Sequence, residues 1–268
     1  MFAKKIKPVV LAIAGAIFHG LAAPSIAQTT DPLQGLWAGN DPSDGGLQTW
    51  SIAATDVAGE YQVRLSDTYL RACSGNRGSV LGKGKLDQDG NLIAELKIQC
   101  LANPTNEAYI DPIDLNFVFK PRNGYLEGST ASSVTQLPST LFKTGFISDN
   151  IEGIWSGTDP DDSGLQTWII VRKGKAYQVR ANDTYLRTCT GNRGSILGKG
   201  TLDQDGNLSA DMEIQCHSNP TNERYLAPVH LNFSFKWTVH GYLEVSTSSG
   251  VTQPPTTLFK TAEKTALK

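Results

Sequence analysis

The side chains of this sequence that are best suited to bind a ligand occur twice. The segment 67–71, Asp-Thr-Tyr-Leu-Arg, recurs at 183–187, and the segment 75–79, Gly-Asn-Arg-Gly-Ser, recurs at 191–195. Glycines on both sides of the Asn-Arg pair predict an exposed hairpin tip. An exposed arginine with polar and aromatic neighbours can form a binding patch, although two copies of one unit also share residues that have no function. The candidate binding patch comprises Tyr69, Arg71, Asn76, Arg77 and Lys83 in the first copy, and Tyr185, Arg187, Asn192, Arg193 and Lys199 in the second.

Two acidic loops offer paired carboxylates. Asp41 and Asp44 lie in the first loop, and Asp159, Asp161 and Asp162 lie in the second. Two acids in one loop could act as the general acid and base of a hydrolase. They could also ligate Ca2+, which prefers hard oxygen ligands, through Asp41, Asp44, Asp159 and Asp162. Both loops consist of Asp, Pro, Ser and Gly, the residues of a tight turn, and a turn is the interpretation that we favour.

The histidines argue against an enzyme. His217, His230 and His240 all lie in the second copy, and the remaining His19 lies near the N-terminus. A Ser-His-Asp site therefore cannot exist in the first copy. We predict a protein that is not an enzyme, with no catalytic residues and no cofactor. A hydrolase that uses the loop carboxylates is the least favoured alternative.

The segments that should form the strands around these side chains also occur twice in the sequence. The segment 46–50, Gly-Leu-Gln-Thr-Trp, recurs at 164–168, and 86–92 recurs unchanged at 202–208. One copy has about 115 residues, the size of a single domain and not of a solenoid repeat. The repeat predicts a first β-domain at 28–146 and a second at 151–262, joined by a linker of a few residues.

Within each copy, apolar and polar residues alternate as they do in strands with one buried face. Leu92, Ala94, Leu96, Ile98 and Cys100 alternate with Ile93, Glu95, Lys97 and Gln99, and Asp-Gly and Asn-Gly turns separate such runs. We count eight or nine short strands per copy and no amphipathic helix. The fold class is therefore all-β, with two tandem homologous antiparallel β-barrel or sandwich domains.

The ends of each copy carry a recognisable pattern. Gly35-Leu36-Trp37 and Gly153-Ile154-Trp155 resemble the opening motif of the calycins, the lipocalin and avidin barrels. In those barrels a basic residue of the last strand packs over the tryptophan, and Lys143 and Lys260 match that position. The resemblance covers the two ends of each copy and implies a barrel. It implies no ligand, because the further lipocalin motifs and the avidin biotin-contact pattern are absent. Each copy also looks like uncharacterised secreted bacterial β-domains with a tryptophan near the start and one cysteine pair.

The four cysteines predict one disulfide in each copy. Cys73 and Cys100 are 27 residues apart, and so are Cys189 and Cys216. Four cysteines allow three pairings, and the repeat selects Cys73–Cys100 and Cys189–Cys216 because each copy must fold around its own pair. Zinc and redox sites are disfavoured because CxxC spacing and paired histidines are absent.

Residues 1–27 have the features of a secretory signal peptide. Lys4, Lys5 and Lys7 precede an apolar run at 9–18, and small residues precede the predicted cleavage between Ala27 and Gln28. The apolar run is shorter than the roughly 20 residues of a membrane-spanning helix. We therefore expect a secreted or periplasmic protein with no membrane span after the signal peptide is removed.

Charge narrows the class of partner. The formal net charge is -2, and without the three leader lysines the chain has 21 basic and 26 acidic residues. A mildly acidic chain is a poor match for the phosphate backbone, so we expect no nucleic acid partner. The sequence predicts a secreted non-enzymatic binding protein with two repeated barrel modules, for a small molecule, a glycan or a protein. The alternative is a cell-envelope structural or interaction protein, or an inhibitor of secreted enzymes.

Overall fold

The structure is a computed structural model that describes most of the chain after the predicted signal peptide. It describes residues 31–42, 45–67, 70–74, 78–103, 106–131, 137–160, 163–183, 187–189, 194–219, 222–247 and 254–262. Residues 31–268 belong to one compact unit. The predicted signal peptide lies outside the described residues, so its cleavage stays a prediction.

Each copy of the repeat forms nine strands in the same order. The first copy has a 3-10 turn at Arg71–Cys73 after its third strand, and the second has the matching turn at Arg187–Cys189. The strands of the first copy are β1 (Gly35–Asn40), β2 (Leu47–Ala54), β3 (Glu60–Asp67), β4 (Gly78–Leu86), β5 (Leu92–Asn103), β6 (Asn106–Tyr109), β7 (Ile113–Arg122), β8 (Tyr125–Thr130) and β9 (Ser139–Gly145). Those of the second are β10 (Gly153–Thr158), β11 (Leu165–Lys173), β12 (Ala176–Asp183), β13 (Gly194–Leu202), β14 (Leu208–Asn219), β15 (Asn222–Tyr225), β16 (Val229–Trp237), β17 (Leu243–Thr247) and β18 (Thr256–Ala262).

Both copies close into antiparallel barrels of eight strands. In the first copy each strand except β6 pairs with the next strand of the barrel along the chain, and β9 returns to pair with β1. The short β6 extends the sheet by pairing with the end of β5, so the barrel itself continues from β5 to β7. The second copy repeats this topology. The predicted all-β fold with two tandem domains is confirmed, and the structure selects barrels over sandwiches. The predicted domain bounds stay predictions.

The predicted alternation places the core inside each barrel. In β5, Leu92, Ala94, Leu96 and Ile98 are buried. The first core contains Trp50, Phe117 and Phe119, whose ring centroids lie 4.6 to 4.9 Å apart. The second barrel stacks the corresponding Trp168, Phe233 and Phe235. The alternating pattern therefore identifies the buried face correctly.

Disulfides fix the 3-10 turn of each barrel to its longest strand. Cys73 is bonded to Cys100 of β5, and Cys189 is bonded to Cys216 of β14, as the repeat predicts. Gly78 is required beside the first bond, because a Cβ there would lie 2.8 Å from the Cys73 sulfur. Structural disulfides persist in oxidising compartments. Among the residues that the structure describes, no helix has the length and apolar composition needed to cross a bilayer.

Candidate functional site

A cavity of about 190 Å³ occupies one end of the first barrel. This end collects the last residues of β1, β3 and β8 and the first residues of β2, β4 and β9, because neighbouring strands run antiparallel. The walls toward the barrel interior are apolar and the rim is polar. The apolar lining includes Trp50, Leu65, Val80, Ile98, Leu115 and Phe117, and the polar lining includes Asp41, Gln48, Asp67, Ser129, Thr130 and Ser139.

A buried glutamine organises the polar rim. The Gln48 amide nitrogen donates to the Oδ2 atoms of Asp41 at 2.8 Å and Asp67 at 3.2 Å. Its amide oxygen accepts from Trp50 Nε1 at 3.3 Å and from the Ser139 hydroxyl at 3.4 Å. All four hydrogen-bonding positions of the amide are therefore occupied. Two carboxylates, one just after β1 and one at the end of β3, therefore bind one neutral amide.

Strand register brings this group together. Gln48 and Trp50 both point into the barrel because side chains two apart share one face of β2. Asp67 ends β3 directly opposite Gln48, and Asp41 follows β1 beside it. The network therefore lies one layer above the aromatic core.

A missing side chain leaves room for the cavity. Gly128 of β8 lines it, and a Cβ at this position would lie 2.8 Å from the Phe117 ring. The second barrel has Val245 at the corresponding position, where it is buried. Conversely, Ala181 stands in the second barrel where the first has Leu65. The two barrel mouths therefore share their strands but differ in internal shape.

The polar network itself is repeated in the second barrel. Gln166 donates to the Oδ2 atoms of Asp159 at 2.6 Å and Asp183 at 3.2 Å. Trp168 donates to the Gln166 amide oxygen at 3.3 Å. Both barrels thus present two carboxylates at the same end.

The opposite end of each barrel is closed by the residues before the first strand. Leu33 is buried there, and its carbonyl oxygen accepts from Trp37 Nε1 at 2.8 Å. Lys143 Nζ lies 5.3 Å from the Trp37 ring centroid and donates to the Pro32 carbonyl, while burial lowers the pKa of this lysine. Lys260 lies 5.4 Å from the Trp155 ring in the second barrel. The structure thus places a lysine over each of these tryptophans, while the calycin resemblance stays a prediction.

The predicted pairing of loop carboxylates is only partly described. Asp41 is buried and bound to Gln48, whereas Asp44, Asp161 and Asp162 lie outside the described residues. The acid that shares a partner with Asp41 is Asp67, which sequence analysis did not select. In the described part of the chain, no group of three or more His, Cys, Asp or Glu is placed to hold a metal ion. Ca2+ binding and the absence of a cofactor both stay predictions.

Most of the predicted binding patch lies outside the described residues. This holds for Tyr69, Asn76, Arg77, Tyr185, Asn192 and Arg193. Arg71 and Arg187 begin the two 3-10 turns, and their side chains are not described. Lys83 and Lys199 are exposed on β4 and β13, and Lys199 borders an open groove of about 500 Å³ on the outer surface. The patch therefore stays a prediction.

Gln48 and Asp67 are not among the predicted site residues, although the sequence contains a signal for Gln48. Gln48 stands two residues before the buried Trp50 in a segment that recurs unchanged, and so does its counterpart Gln166. A polar residue in phase with the buried face of a strand indicates a buried hydrogen-bond network. The comparisons with known proteins found no matching family model and no matching curated protein.

Proposed function

We propose that this protein is a non-enzymatic binding protein that holds a small molecule in the mouth of its first barrel. The observation that carries the proposal is the cavity whose apolar wall meets the Gln48 network at the rim. Ligand sites are commonly apolar cavities with a few fixed polar groups. Because the Gln48 amide is fully hydrogen-bonded within the protein, its role is to hold Asp41 and Asp67 in place.

The lining defines the class of ligand. Trp50 and Phe117 offer aromatic surface, and the two carboxylates offer only hydrogen-bond acceptors when ionised. The ligand should therefore combine an apolar body with a hydrogen-bond donor, and a charged amine would make the strongest bonds. A volume of about 190 Å³ is smaller than the roughly 300–1,000 Å³ of a typical drug-sized site. The cavity suits a small molecule or one end of a larger one.

A thermal-shift series with three probes of one shape tests this proposal. Benzylamine, benzyl alcohol and toluene share a ring and differ in the donor that they present. A ligand that binds only the folded state raises the melting temperature, and at one ligand concentration the tighter ligand gives the larger rise. We expect the largest rise with benzylamine and the smallest with toluene. Equal shifts, or no shift with any probe at millimolar concentration, would overturn the proposed ligand class.

Gly128→Val provides the matched variant, because it places in the first barrel the residue of the second. Its side chain fills the cavity against Phe117, so the benzylamine shift should disappear. Val245→Gly in the second barrel is the control and should leave the shift intact. A full shift in Gly128→Val would mean that the probe binds elsewhere and would sink the proposed site. Hydrolysis of a glycan panel by the wild-type protein would instead favour the carboxylate-dependent hydrolase.

We further propose that the protein is secreted or periplasmic, with cleavage between Ala27 and Gln28. The two disulfides support an oxidising location. N-terminal sequencing of the protein from the producing cells tests the cleavage site. A mature chain that begins at Gln28 is expected, and a chain that retains residues 1–27 would contradict the proposal.

A further inference from the structure

The two barrels pack through different faces. The second barrel contributes β10, β18 and the residues just before β17 and β18. We call Tyr242, Phe259 and the Pro255 carbonyl its docking face. The first barrel contributes the outer surface of β1 to β3 and the end of β9. We call Leu36, Ala53 and Arg64 its receiving face. Leu36, Ala53, Tyr242 and Phe259 form one buried apolar cluster between the barrels.

Polar contacts surround this cluster. Arg64 Nη1 donates to the Pro255 carbonyl oxygen at 2.7 Å, and the Tyr242 hydroxyl donates to the Ala54 carbonyl oxygen at 3.1 Å. Gln34 donates to the His240 carbonyl oxygen at 2.6 Å. Arg64 is only 6% exposed. Burial lowers the pKa of Arg64, while the charges of Asp159 and Glu244 favour its cationic form.

Because the barrels are repeats, each also carries the face that it does not use inside the chain. The docking face of the first barrel comprises Tyr125, Phe142 and the Pro138 carbonyl. The receiving face of the second barrel comprises Ile154, Val171 and Arg180, and Ile169 between them, at the position of Ser51. A contact between unlike faces leaves one unused face at each end of the pair.

The unused docking face retains the side chains of its buried counterpart. Phe142 is 58% exposed, whereas Phe259 is fully buried. The Tyr125 and Phe142 rings lie 6.3 Å apart, close to the 5.6 Å between Tyr242 and Phe259. Glu127 stands where the second barrel has Glu244, the acid near Arg64. The first barrel thus repeats both the aromatic pair and the acid.

The unused receiving face is more apolar than the buried one. Ile169 replaces Ser51 and Val171 replaces Ala53, and Ile169 is 40% exposed. Ile154 and Ile169 are cross-strand neighbours, and Arg180 is opposite Ile169 on the next strand. The patch is therefore continuous across β10, β11 and β12. Ile154 and Val171 are half-buried beside the exposed Ile169, and an apolar patch beside a charge is typical of an interaction site.

We propose that the receiving face of the second barrel binds the docking face of the first barrel of another copy of this chain. Phe142 of one copy packs on Ile154, Ile169 and Val171 of the next. Arg180 donates to the Pro138 carbonyl and lies near Glu127, as Arg64 does with Pro255 and Glu244. Since the faces differ, the contact is head-to-tail and builds an open row or a ring of chains.

The contact between copies should be weaker than the contact within a chain. Val80 N donates to the Ser163 hydroxyl across the internal interface at 2.8 Å, and the first barrel has Gly45 in place of Ser163. The linker also holds the internal faces at high effective concentration. We therefore expect association that depends on protein concentration.

Sedimentation equilibrium over a concentration series from about 1 μM to about 1 mM, the range of weak complexes, tests the proposal. The weight-average mass of the wild type should rise above the monomer mass with concentration. Phe142→Glu and Ile169→Glu each place a charge in one face and should weaken association about tenfold or more. Leu226→Glu is the control, since Leu226 is 51% exposed and follows β15, away from both faces. A wild type that stays monomeric throughout would overturn the proposal.

A mixing experiment distinguishes the loss of one binding face from misfolding of the variant. The Phe142→Glu protein keeps its receiving face, and the Ile169→Glu protein keeps its docking face. Each alone should be monomeric, and their mixture should form a one-to-one complex that grows no further. Failure of the mixture to associate, or loss of association in Leu226→Glu, would refute the head-to-tail contact.

Discussion

Arg64 and Pro255 join the two barrels through a hydrogen bond of 2.7 Å from a buried guanidinium to a main-chain carbonyl oxygen. Proline has no N–H, so this carbonyl is its only main-chain hydrogen-bonding group. Arg64 is 6% exposed, so this hydrogen bond lies away from solvent. The link therefore makes the stability of one barrel depend on the other.

Arg64→Met should lower the free energy of unfolding by about 1–3 kcal/mol, the cost of an unsatisfied buried acceptor. The expected loss comes from the Pro255 carbonyl, because methionine retains much of the apolar stem. The control is Arg180→Met, since Arg180 is the exposed counterpart in the second barrel. We expect the control to change stability by less than about 0.5 kcal/mol. Urea denaturation at a concentration that keeps the protein monomeric gives both values, and equal losses would contradict the assignment.

Tyr242 should make the protein less stable at alkaline pH. Burial, with a smaller effect from Glu244, raises the pKa of Tyr242 to about 12, whereas an unperturbed tyrosine titrates near 10. Between these pH values the unfolded chain has lost a proton that the folded chain still holds. The stabilisation is therefore complete below about pH 10 and falls as the pH rises toward about 12.

Tyr242→Phe should flatten this decline when urea denaturation is followed from pH 9 to 12. At neutral pH it should cost about 0.5–1.5 kcal/mol, because the hydrogen bond to the Ala54 carbonyl is lost. Some decline will remain, since burial also raises the pKa of Tyr61. Tyr125→Phe, at the corresponding half-buried position of the first barrel, is the control. An unchanged slope in Tyr242→Phe would show that the phenol does not drive the effect.

The contact between the barrels is the feature that the sequence could least predict. Phe142 and Phe259 occupy identical five-residue segments, yet one is 58% exposed and the other fully buried. Because the two segments are identical, they cannot indicate which of the two phenylalanines is buried against the other barrel. Exposure here follows from how two complete barrels pack, which depends on the linker and on substitutions such as Ser163 for Gly45.

More of the fold of each barrel than of the contact between them could be predicted, because the residues that determine the fold follow local patterns or occur in both copies. Alternation identified the buried face of β5, and the repeat selected the pairing of Cys73 with Cys100. The Gln48–Asp67 contact could not be derived in the same way. It depends on the register between β2 and β3, which the turn after Ala54 sets. A shift of one residue would turn Gln48 to the outer face.

The disulfides should contribute similar stability to the two barrels. Each closes a loop with a sequence separation of 27 residues. In the chain-entropy model such a bond contributes about 3–4 kcal/mol. The double variant Cys73→Ala/Cys100→Ala and the matched variant Cys189→Ala/Cys216→Ala should therefore lose similar amounts. Denaturant unfolding of each variant measures this, and a loss in one barrel only would show that strain or residual structure outweighs loop entropy.

Replacing Gln48 should disrupt the cavity rim without emptying the core. Gln48→Met keeps the side-chain length and removes the amide that bonds Asp41, Asp67, Trp50 and Ser139. Trp50 Nε1 then loses its acceptor in a buried position, so the free energy of unfolding should fall by about 1–3 kcal/mol.

Gln48→Met should also bind the benzylamine probe less tightly, because the Gln48 amide no longer holds the carboxylates of Asp41 and Asp67 in place. Gln166→Met makes the equivalent change in the second barrel and should cost similar stability while leaving probe binding intact. Calorimetric titration of both variants, with unfolding measured in parallel, separates the two effects. If Gln166→Met lowered the affinity for the probe as much as Gln48→Met does, the probe would not bind specifically in the first barrel.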